Sequence, residues 1–338
     1  NPKTIDDAKL AAWLNDSTGA RIEVTRSFYN LPATNFGIAV PSGFTQNEQN
    51  MRKRISAITY EKAYDHADSN DTYDYGTLYE YDIHGNVKTL IQDNKTLEDH
   101  ANANVAALQY KRMDYTYDLI SGNVHEVAYQ AGEADAWYHR YEYDGDNRIT
   151  TVETSADYIN WDRDAKYIYY DHGPLARIEL GENNVQGLDY AYTLQGWLKG
   201  VNSDLLNPEN DPGRDALSDG DNPNALFARD VMGFSLHYRE NDYSAIDYVN
   251  KWQENSDRFA SVFKGTSDAF TARENLYNGN IANMVTTISK PNYDSATNTL
   301  ASIDVLPQAT AYRYDQLNRI AQARAYQNIV NDSLDSNY

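Results

Sequence analysis

A nine-residue pattern recurs through the chain and reads Tyr-x-Tyr-Asp-x-x-Gly/Asn-x-aliphatic. Its copies are residues 79–87, 115–124, 141–149, 190–198 and 312–320. The copy at 115–124 has one extra loop residue, the copy at 190–198 has Thr193 in place of Asp, and residues 170–178 form a degenerate sixth copy. Repetition of a short unit indicates a fold built from similar pieces rather than around a single reactive site.

The pattern predicts a β-hairpin. Side chains alternate along a strand, so the two tyrosines of Tyr-x-Tyr share one face. Asp suits the first position of a tight turn, because its carboxylate accepts hydrogen bonds from backbone N–H groups further along. Gly or Asn is needed where φ becomes positive, and a type I turn followed by such a residue forms a hairpin loop with a bulge. The predicted turn residues are Asp82, Gly85, Asp118, Gly122, Asp144, Asn147, Thr193, Gly196, Asp315 and Asn318.

The paired tyrosines predict an aromatic stripe on one face of the sheet. The ring residues assigned to this stripe are Tyr79, Tyr81, Tyr115, Tyr117, Tyr141, Tyr143, Tyr190, Tyr192, Tyr312 and Tyr314. For any one ring, packing on the sheet is the simplest interpretation, and contact with a guest chain is the alternative. We expect the opposite face to carry most of the acid, including Glu80, Glu142 and the aspartates of residues 211–221, and to lie in water.

The segments 79–87 (YEYDIHGNV) and 312–320 (YRYDQLNRI) resemble the YD repeats of Rhs (rearrangement hotspot) proteins. Similar repeats occur in the C component of insecticidal Tc toxins and in teneurins. The segment 192–200 (YTLQGWLKG) resembles the form found in Rhs-like proteins of Bacteroidota. The resemblance covers about residues 56–200 and 276–325. It implies a hollow shell with an aromatic lining.

We therefore expect a mainly β fold of YD-repeat antiparallel hairpins, which form a coiled, shell-like sheet or partial wall with minor helices. The predicted regions are an N-terminal segment at 1–55, YD-repeat hairpins at 56–200, an insertion of loops and short helices at 201–275, and resumed repeats at 276–338. Within them, we predict helices at 4–14 and in 244–264, a helix-like interruption at 95–109, and a strand at 22–29.

Composition limits the classes of partner. The chain has 338 residues, a net charge of −21 and 29 tyrosines, but no cysteine. The negative charge argues against nucleic acid and anionic membrane surfaces. The lack of cysteine excludes disulfides, cysteine–zinc sites and thiol catalysis. No run of eighteen apolar residues occurs, so we expect no membrane insertion.

Candidate reactive groups have simpler structural interpretations. Asp211, Asp215, Asp219 and Asp221 lie in a Pro- and Gly-rich stretch that we interpret as a solvated acidic loop, with a hard-cation site as the alternative. The seven histidines form no metal-binding spacing and are interpreted as surface residues. The repeat aspartates, with Trp137, Trp161 and Trp197 as sugar platforms, would suit a glycosidase, but turn capping alone explains their positions. We predict no catalytic residue, no metal and no cofactor.

Two functions from different classes remain open. The first is a structural wall that encapsulates a C-terminal toxin or effector, as the resemblance implies, with no catalysis of its own. The second is a cell-surface adhesion or glycan-binding module, and an enzyme ranks third. For the wall, the expected partners are the rest of a longer polypeptide, the enclosed toxin and export machinery. The expected location, secreted or at the cell surface, also follows from the resemblance.

Overall fold

The computed structural model describes residues 21–64, 73–98, 108–218, 220–243, 259, 275–293, 300–327, 329–330 and 333–334. Within these ranges the protein is mainly β, as the sequence predicts. Its described helices are the short 3-10 turns Ala33–Phe36, Glu48–Met51 and Lys95–Leu97. The helix predicted at 4–14 lies outside the described residues, as does nearly all of 244–264. No helix in the described ranges has the length and hydrophobicity that crossing a bilayer requires.

The strands follow one another along the chain as antiparallel neighbours. They are β1 (Arg21–Tyr29), β2 (Ile55–Tyr64), β3 (Tyr75–Tyr81), β4 (Val87–Asn94), β5 (Tyr110–Tyr117), β6 (Val124–Tyr129), β7 (Trp137–Tyr143), β8 (Ile149–Ser155), β9 (Asp162–Tyr169), β10 (Leu175–Leu180), β11 (Gln186–Tyr192), β12 (Leu198–Val201), β13 (Met232–His237), β14 (Asn283–Tyr293), β15 (Leu300–Tyr314), β16 (Ile320–Tyr326), β17 (Ile329–Val330) and β18 (Ser333–Leu334). The strand predicted at 22–29 is β1. Strand β13 was not predicted, because it lies inside the expected insertion.

The chain divides into two compact units, residues 1–148 with 153–161 and residues 149–152 with 162–338. In the first unit, each strand from β1 to β7 pairs with the next. Ala57, Leu78 and Ile91 are aligned across three strands by this register and are fully buried. A cover of loop and 3-10 turns, residues 31–51, packs against this row, so the first core is apolar.

In the second unit, each strand from β9 to β16 pairs with the next. The register aligns Ala191, Gly200, Ser235, Val285 and Ala309 in one row, and all five are buried. Leu205 packs on the small apolar cluster at the β14–β15 end of this row. The cover here is residues 202–230, which connect β12 to β13.

A register shift occurs at the same point in four repeats. It lies between Glu80 and Tyr81, Thr116 and Tyr117, Ala191 and Tyr192, and Arg313 and Tyr314. The second tyrosine of each repeat then pairs with the aliphatic residue that starts the returning strand, as Tyr81 does with Val87. The bulge predicted from the turn chemistry is a different one and lies in the turn itself, where the Gly85 N–H donates to the Asp82 carbonyl at 3.2 Å and the Asp82 N–H donates to the Asn86 carbonyl at 3.0 Å. The register shift at the second tyrosine was not predicted. Bulges increase the local twist of a hairpin.

Candidate functional site: the tyrosine face and a buried acidic cluster

The repeat turns are built around the predicted aspartates. In the turn of residues 82–85, Asp82 Oδ1 accepts hydrogen bonds from the backbone N–H groups of Gly85, at 2.6 Å, and Asn86, at 2.8 Å. The Gly85 backbone has a φ of 101°, a conformation that residues other than glycine rarely adopt. A Cβ at Gly85 would also collide with the guanidinium of Arg54. The backbone of this turn therefore favours glycine, and any larger residue would also have to displace the Arg54 guanidinium.

The other repeats use the same turn with small changes. The left-handed position is taken by Gly122, Asn147, Gly196 and Asn318, all with positive φ. Asp144 accepts backbone hydrogen bonds from Asp146 and Arg148, and Thr193 Oγ1 accepts one from the Trp197 backbone at 3.2 Å. The backbone N–H and then the side chain of Arg148 lower the pKa of Asp144, which stays ionised as a turn cap.

The ten repeat tyrosines are all half-buried. In β11, Tyr190 and Tyr192 alternate with the buried residues Gly187, Asp189 and Ala191. The rings of Tyr79 and Tyr81 stack at 6.4 Å between centroids, and those of Tyr115 and Tyr117 stack at 6.5 Å. The tyrosines therefore form a partly exposed face opposite the covered one. Offset stacking of neighbouring rings adds to the stability that their burial provides.

The second tyrosine of three repeats also makes a hydrogen bond that the sequence did not reveal. The Tyr117 hydroxyl donates to the Val87 carbonyl at 2.7 Å, and the Tyr143 hydroxyl donates to the Val124 carbonyl at 2.8 Å. In the second unit, Tyr169, Tyr238 and Tyr314 donate in the same way to the carbonyls of Ile149, Leu198 and Ile281. Each bond ties a strand to the start of the preceding strand, where the returning half of the previous hairpin begins. This hydrogen bond explains why these positions carry tyrosine rather than phenylalanine, which has no hydroxyl.

The covered face of the second unit holds a buried acidic cluster, which we define as Asp189, Asp211, Asp215 and Asp230. All four side chains are buried. Asp211 and Asp215 therefore contradict the prediction that the aspartates of 211–221 lie in water, whereas Asp221 is exposed and Asp219 lies outside the described residues. Local composition predicted a solvated loop, but the counter-charge comes from Arg177 on β10, 34 residues before Asp211, and only the fold brings it there.

Arg177 binds this cluster through both ends of its guanidinium. Nη1 donates to Asp189 Oδ2, and Nη2 donates to Asp215 Oδ1 at 2.7 Å. Arg177 and Asp189 are cross-strand partners in the β10–β11 register, whereas Asp215 comes from the cover. The ion pairs therefore connect the cover directly to the sheet.

Burial changes the proton affinity of the cluster. Loss of solvent, and then the charge of Asp211, raises the pKa of Asp189 to about 7. Burial and then the three neighbouring carboxylates also raise the pKa of Asp230. One arginine is thus insufficient to hold all four carboxylates in their ordinary ionised state.

A second polar network lies between β12, β13 and the chain after β13. The ammonium of Lys199, fully buried, donates to Asp242 Oδ1 at 2.8 Å and contacts His237 Nδ1 at 2.9 Å. Ser235 Oγ lies 3.1 Å from His237 Nε2 and donates to Asp204. Burial and then Lys199 lower the pKa of His237, which is therefore neutral. The prediction of a surface histidine is wrong for His237, because its partners are up to 38 residues away.

The remaining sequence candidates are placed as follows. His84, His125 and His172 are exposed, His139 is half-buried, and His66 and His100 lie outside the described residues. The ring of Trp161 carries the Arg140 guanidinium at 4.3 Å, and Trp197 packs on Tyr238 at 5.0 Å. These two rings are already engaged by the protein.

Comparison with known proteins gives structural similarity without a family. No protein-family model and no curated protein matches the chain. It is similar to the crystal structure of TcdB2–TccC3–Cdc42, with 13% identity over 92% of this chain and 13% of that one, at a TM-score of 0.43. The structure of TcdB2–TccC3 matches at 12% identity over 94% of this chain and 14% of that one, with a TM-score of 0.43. The Tc holotoxin pore of Photorhabdus luminescens matches at 11% identity, over 90% and 14% of the two chains, with a TM-score of 0.40. This chain thus spans a small part of those proteins.

Proposed function

We propose that this chain is a wall segment of an exported YD-repeat shell that encloses a C-terminal toxin or effector. The observation that carries the proposal is that, in each unit, hairpins follow one another in chain order, several neighbours are joined by the same tyrosine hydroxyl bond, and the repeat tyrosines are half-buried. A wall needs such a repeat, because each hairpin must bind the next one in the same geometry. It needs no reaction of its own.

The sheet edges favour a role within a larger assembly. Among the described residues, β1 pairs with β2 alone and β16 with β15 alone. The side chains of Ile320–Tyr326 are nearly all exposed. Strand edges with unpaired backbone groups are binding sites for further strands. We therefore propose more of the parent polypeptide as the partner of these edges.

Photo-crosslinking tests which face meets the guest chain. A photoreactive phenylalanine analogue replaces Tyr141 in the full parent polypeptide, and a matched protein carries it at the exposed Glu142 on the opposite face. The wall proposal predicts crosslinks to the C-terminal guest from position 141 and not from position 142. Crosslinks from both positions, or from position 142 alone, would contradict it.

A glycan-binding assay separates the proposal from the adhesion alternative. Purified chain is applied to a glycan array and incubated with polysaccharide and peptide substrates. The wall proposal predicts neither binding nor hydrolysis. Saturable binding to one glycan that is lost on replacing exposed aromatic residues would favour the adhesion module instead.

A further inference from the structure

Three carboxylates of the acidic cluster have the spacing of a metal site. Asp189, Asp211 and Asp215 each offer one oxygen, and the three oxygens lie within 4.8 Å of one another. Ca²⁺ binds oxygen ligands at about 2.3–2.6 Å, so oxygens on opposite sides of one ion are separated by about 5 Å. A single ion therefore fits among all three.

The same cluster contains buried oxygens without a well-formed hydrogen bond. Asp211 Oδ1 and Asp215 Oδ2 accept no hydrogen bond of good geometry, although the Asp230 carboxyl lies beside Asp211 and the Gly187 backbone beside Asp215, and the two residues are 0% and 1% exposed. The other oxygens of these carboxylates are satisfied by the Asp215 backbone and by Arg177. A buried, unsatisfied carboxylate oxygen is costly unless a donor or a cation meets it.

The charge balance of the acidic cluster also favours a bound cation. The cluster has four carboxylates, and Arg177 is the one cation paired with them in the described residues. Glu179 also lies 3.6 Å from Arg177, but it has Lys166 at 3.5 Å as a second partner. If all four carboxylates were ionised, they and Arg177 would leave an excess of three negative charges, which protons or a bound cation must offset. A buried excess of this size calls for additional positive charge.

Two glycines allow the backbone to approach the carboxylates closely. A Cβ at Gly213 would collide with Asp189 and Arg177, and one at Gly187 would collide with Asp215 and Arg177. Gly213 belongs to the cover and Gly187 to β11. The backbone therefore approaches the cluster closely from both elements.

We propose that Asp189, Asp211 and Asp215 bind one Ca²⁺ ion, which joins the cover of residues 202–230 to the sheet of the second unit. Ca²⁺ fits better than Mg²⁺, because it accepts irregular oxygen sites, whereas Mg²⁺ demands near-octahedral geometry. Arg177 holds Asp189 and Asp215 in place from one side, and the ion binds the oxygens that Arg177 leaves. This inference is independent of the proposed wall function.

Calorimetry on the complete chain tests the site. Chelator-treated protein is titrated with CaCl₂ at pH 7.5 in 150 mM NaCl, which screens diffuse binding to the acidic surface. The proposal predicts one ion per chain and a rise in Tm of about 5 °C at saturating calcium. Asp211→Asn and Asp215→Asn should each weaken calcium binding at least tenfold. Asp171→Asn, which removes an exposed carboxylate in the β9–β10 turn, should leave it unchanged.

The wild-type measurement tests the calcium site even if circular dichroism shows that the cluster variants do not fold. One bound ion that resists a tenfold excess of Mg²⁺ supports the site. The proposal is overturned if adding calcium gives neither calorimetric heat nor a rise in Tm at any pH from 6 to 8. A proton shared by Asp211 and Asp230 would then fill the role of the cation. Several weak ions that doubled NaCl displaces, or equal loss of binding in Asp171→Asn, overturn the proposal as well.

Discussion

The two units cover the same kind of sheet face with opposite chemistry. Residues 31–51 of the first unit place Ala33, Ile38 and Phe44 on an apolar row of strand residues. Residues 202–230 of the second unit place Asp211 and Asp215 on an arginine and an aspartate of the sheet. An apolar cover needs only shape and volume, whereas a charged cover needs each group paired. We expect the two units to respond differently to substitutions that preserve size.

Arg177→Met is expected to have the largest effect. It keeps an extended side chain of similar length but leaves the acidic cluster without its guanidinium. Removing one partner of a buried ion pair costs about 3–5 kcal/mol. Urea unfolding of calcium-free protein measures the loss. Lys166→Met is the control, because the Lys166 side chain on the neighbouring β9 is 46% exposed. It should change the free energy of unfolding by less than about 0.5 kcal/mol. A loss below about 1 kcal/mol for Arg177→Met would show that the charges are not coupled as described.

Leu78 provides the apolar counterpart in the first unit. Leu78→Ala should cost about 2–5 kcal/mol, because it leaves a cavity under the cover. Leu78→Met conserves volume and should cost less than about 1.5 kcal/mol. Thermal and urea unfolding measure both, and Leu119→Ala, at a residue 85% exposed in a turn, is the control. If Leu78→Met proves as damaging as Arg177→Met, the contrast between the two covers fails.

The glycine turns sharpen the comparison, since Gly85 lies against the Arg54 side chain and Gly196 is in open space. Gly85→Ala should cost about 2 kcal/mol, because it combines positive φ with a clash against Arg54. Gly196→Ala has open space and should cost about 1 kcal/mol, from φ of 81° alone. Gly145→Ala, also in open space and without positive φ, is the control for differential scanning calorimetry. Equal losses at Gly85 and Gly196 would mean that Arg54 moves aside freely.

The tyrosine hydroxyl bonds should contribute equally in the two units, because the repeat is the same. Tyr143→Phe in the first unit and Tyr314→Phe in the second should each cost about 0.5–1.5 kcal/mol, the net value of one hydrogen bond. Urea unfolding measures these small differences against Tyr293→Phe, at a residue 61% exposed. Losses confined to one unit would indicate that the repeat has different roles in the two.

The hairpins could be predicted from sequence because their chemistry is local. The carboxylate of Asp82 accepts hydrogen bonds from residues three and four positions later. Gly85 and Asn318 supply the positive φ that ends each turn. Alternation then places the two tyrosines on one face without reference to the rest of the molecule. For the same reason, the mainly β fold and the tight, bulged hairpin turns followed from a nine-residue pattern.

Tertiary structure alone decided the state of the polar residues. Asp215 meets Arg177 across 38 positions, and Lys199 meets Asp242 across 43. Composition could not distinguish a solvated acidic loop from a buried cluster, since the difference depends on a counter-charge supplied by a distant strand. The sequence also could not reveal the hydrogen-bond partner of the Tyr143 hydroxyl, because the register between strands decides that it is the Val124 carbonyl. Hydrogen bonds within a turn are fixed by neighbours in sequence, whereas the burial and pairing of charges are fixed by the elements that the fold brings together.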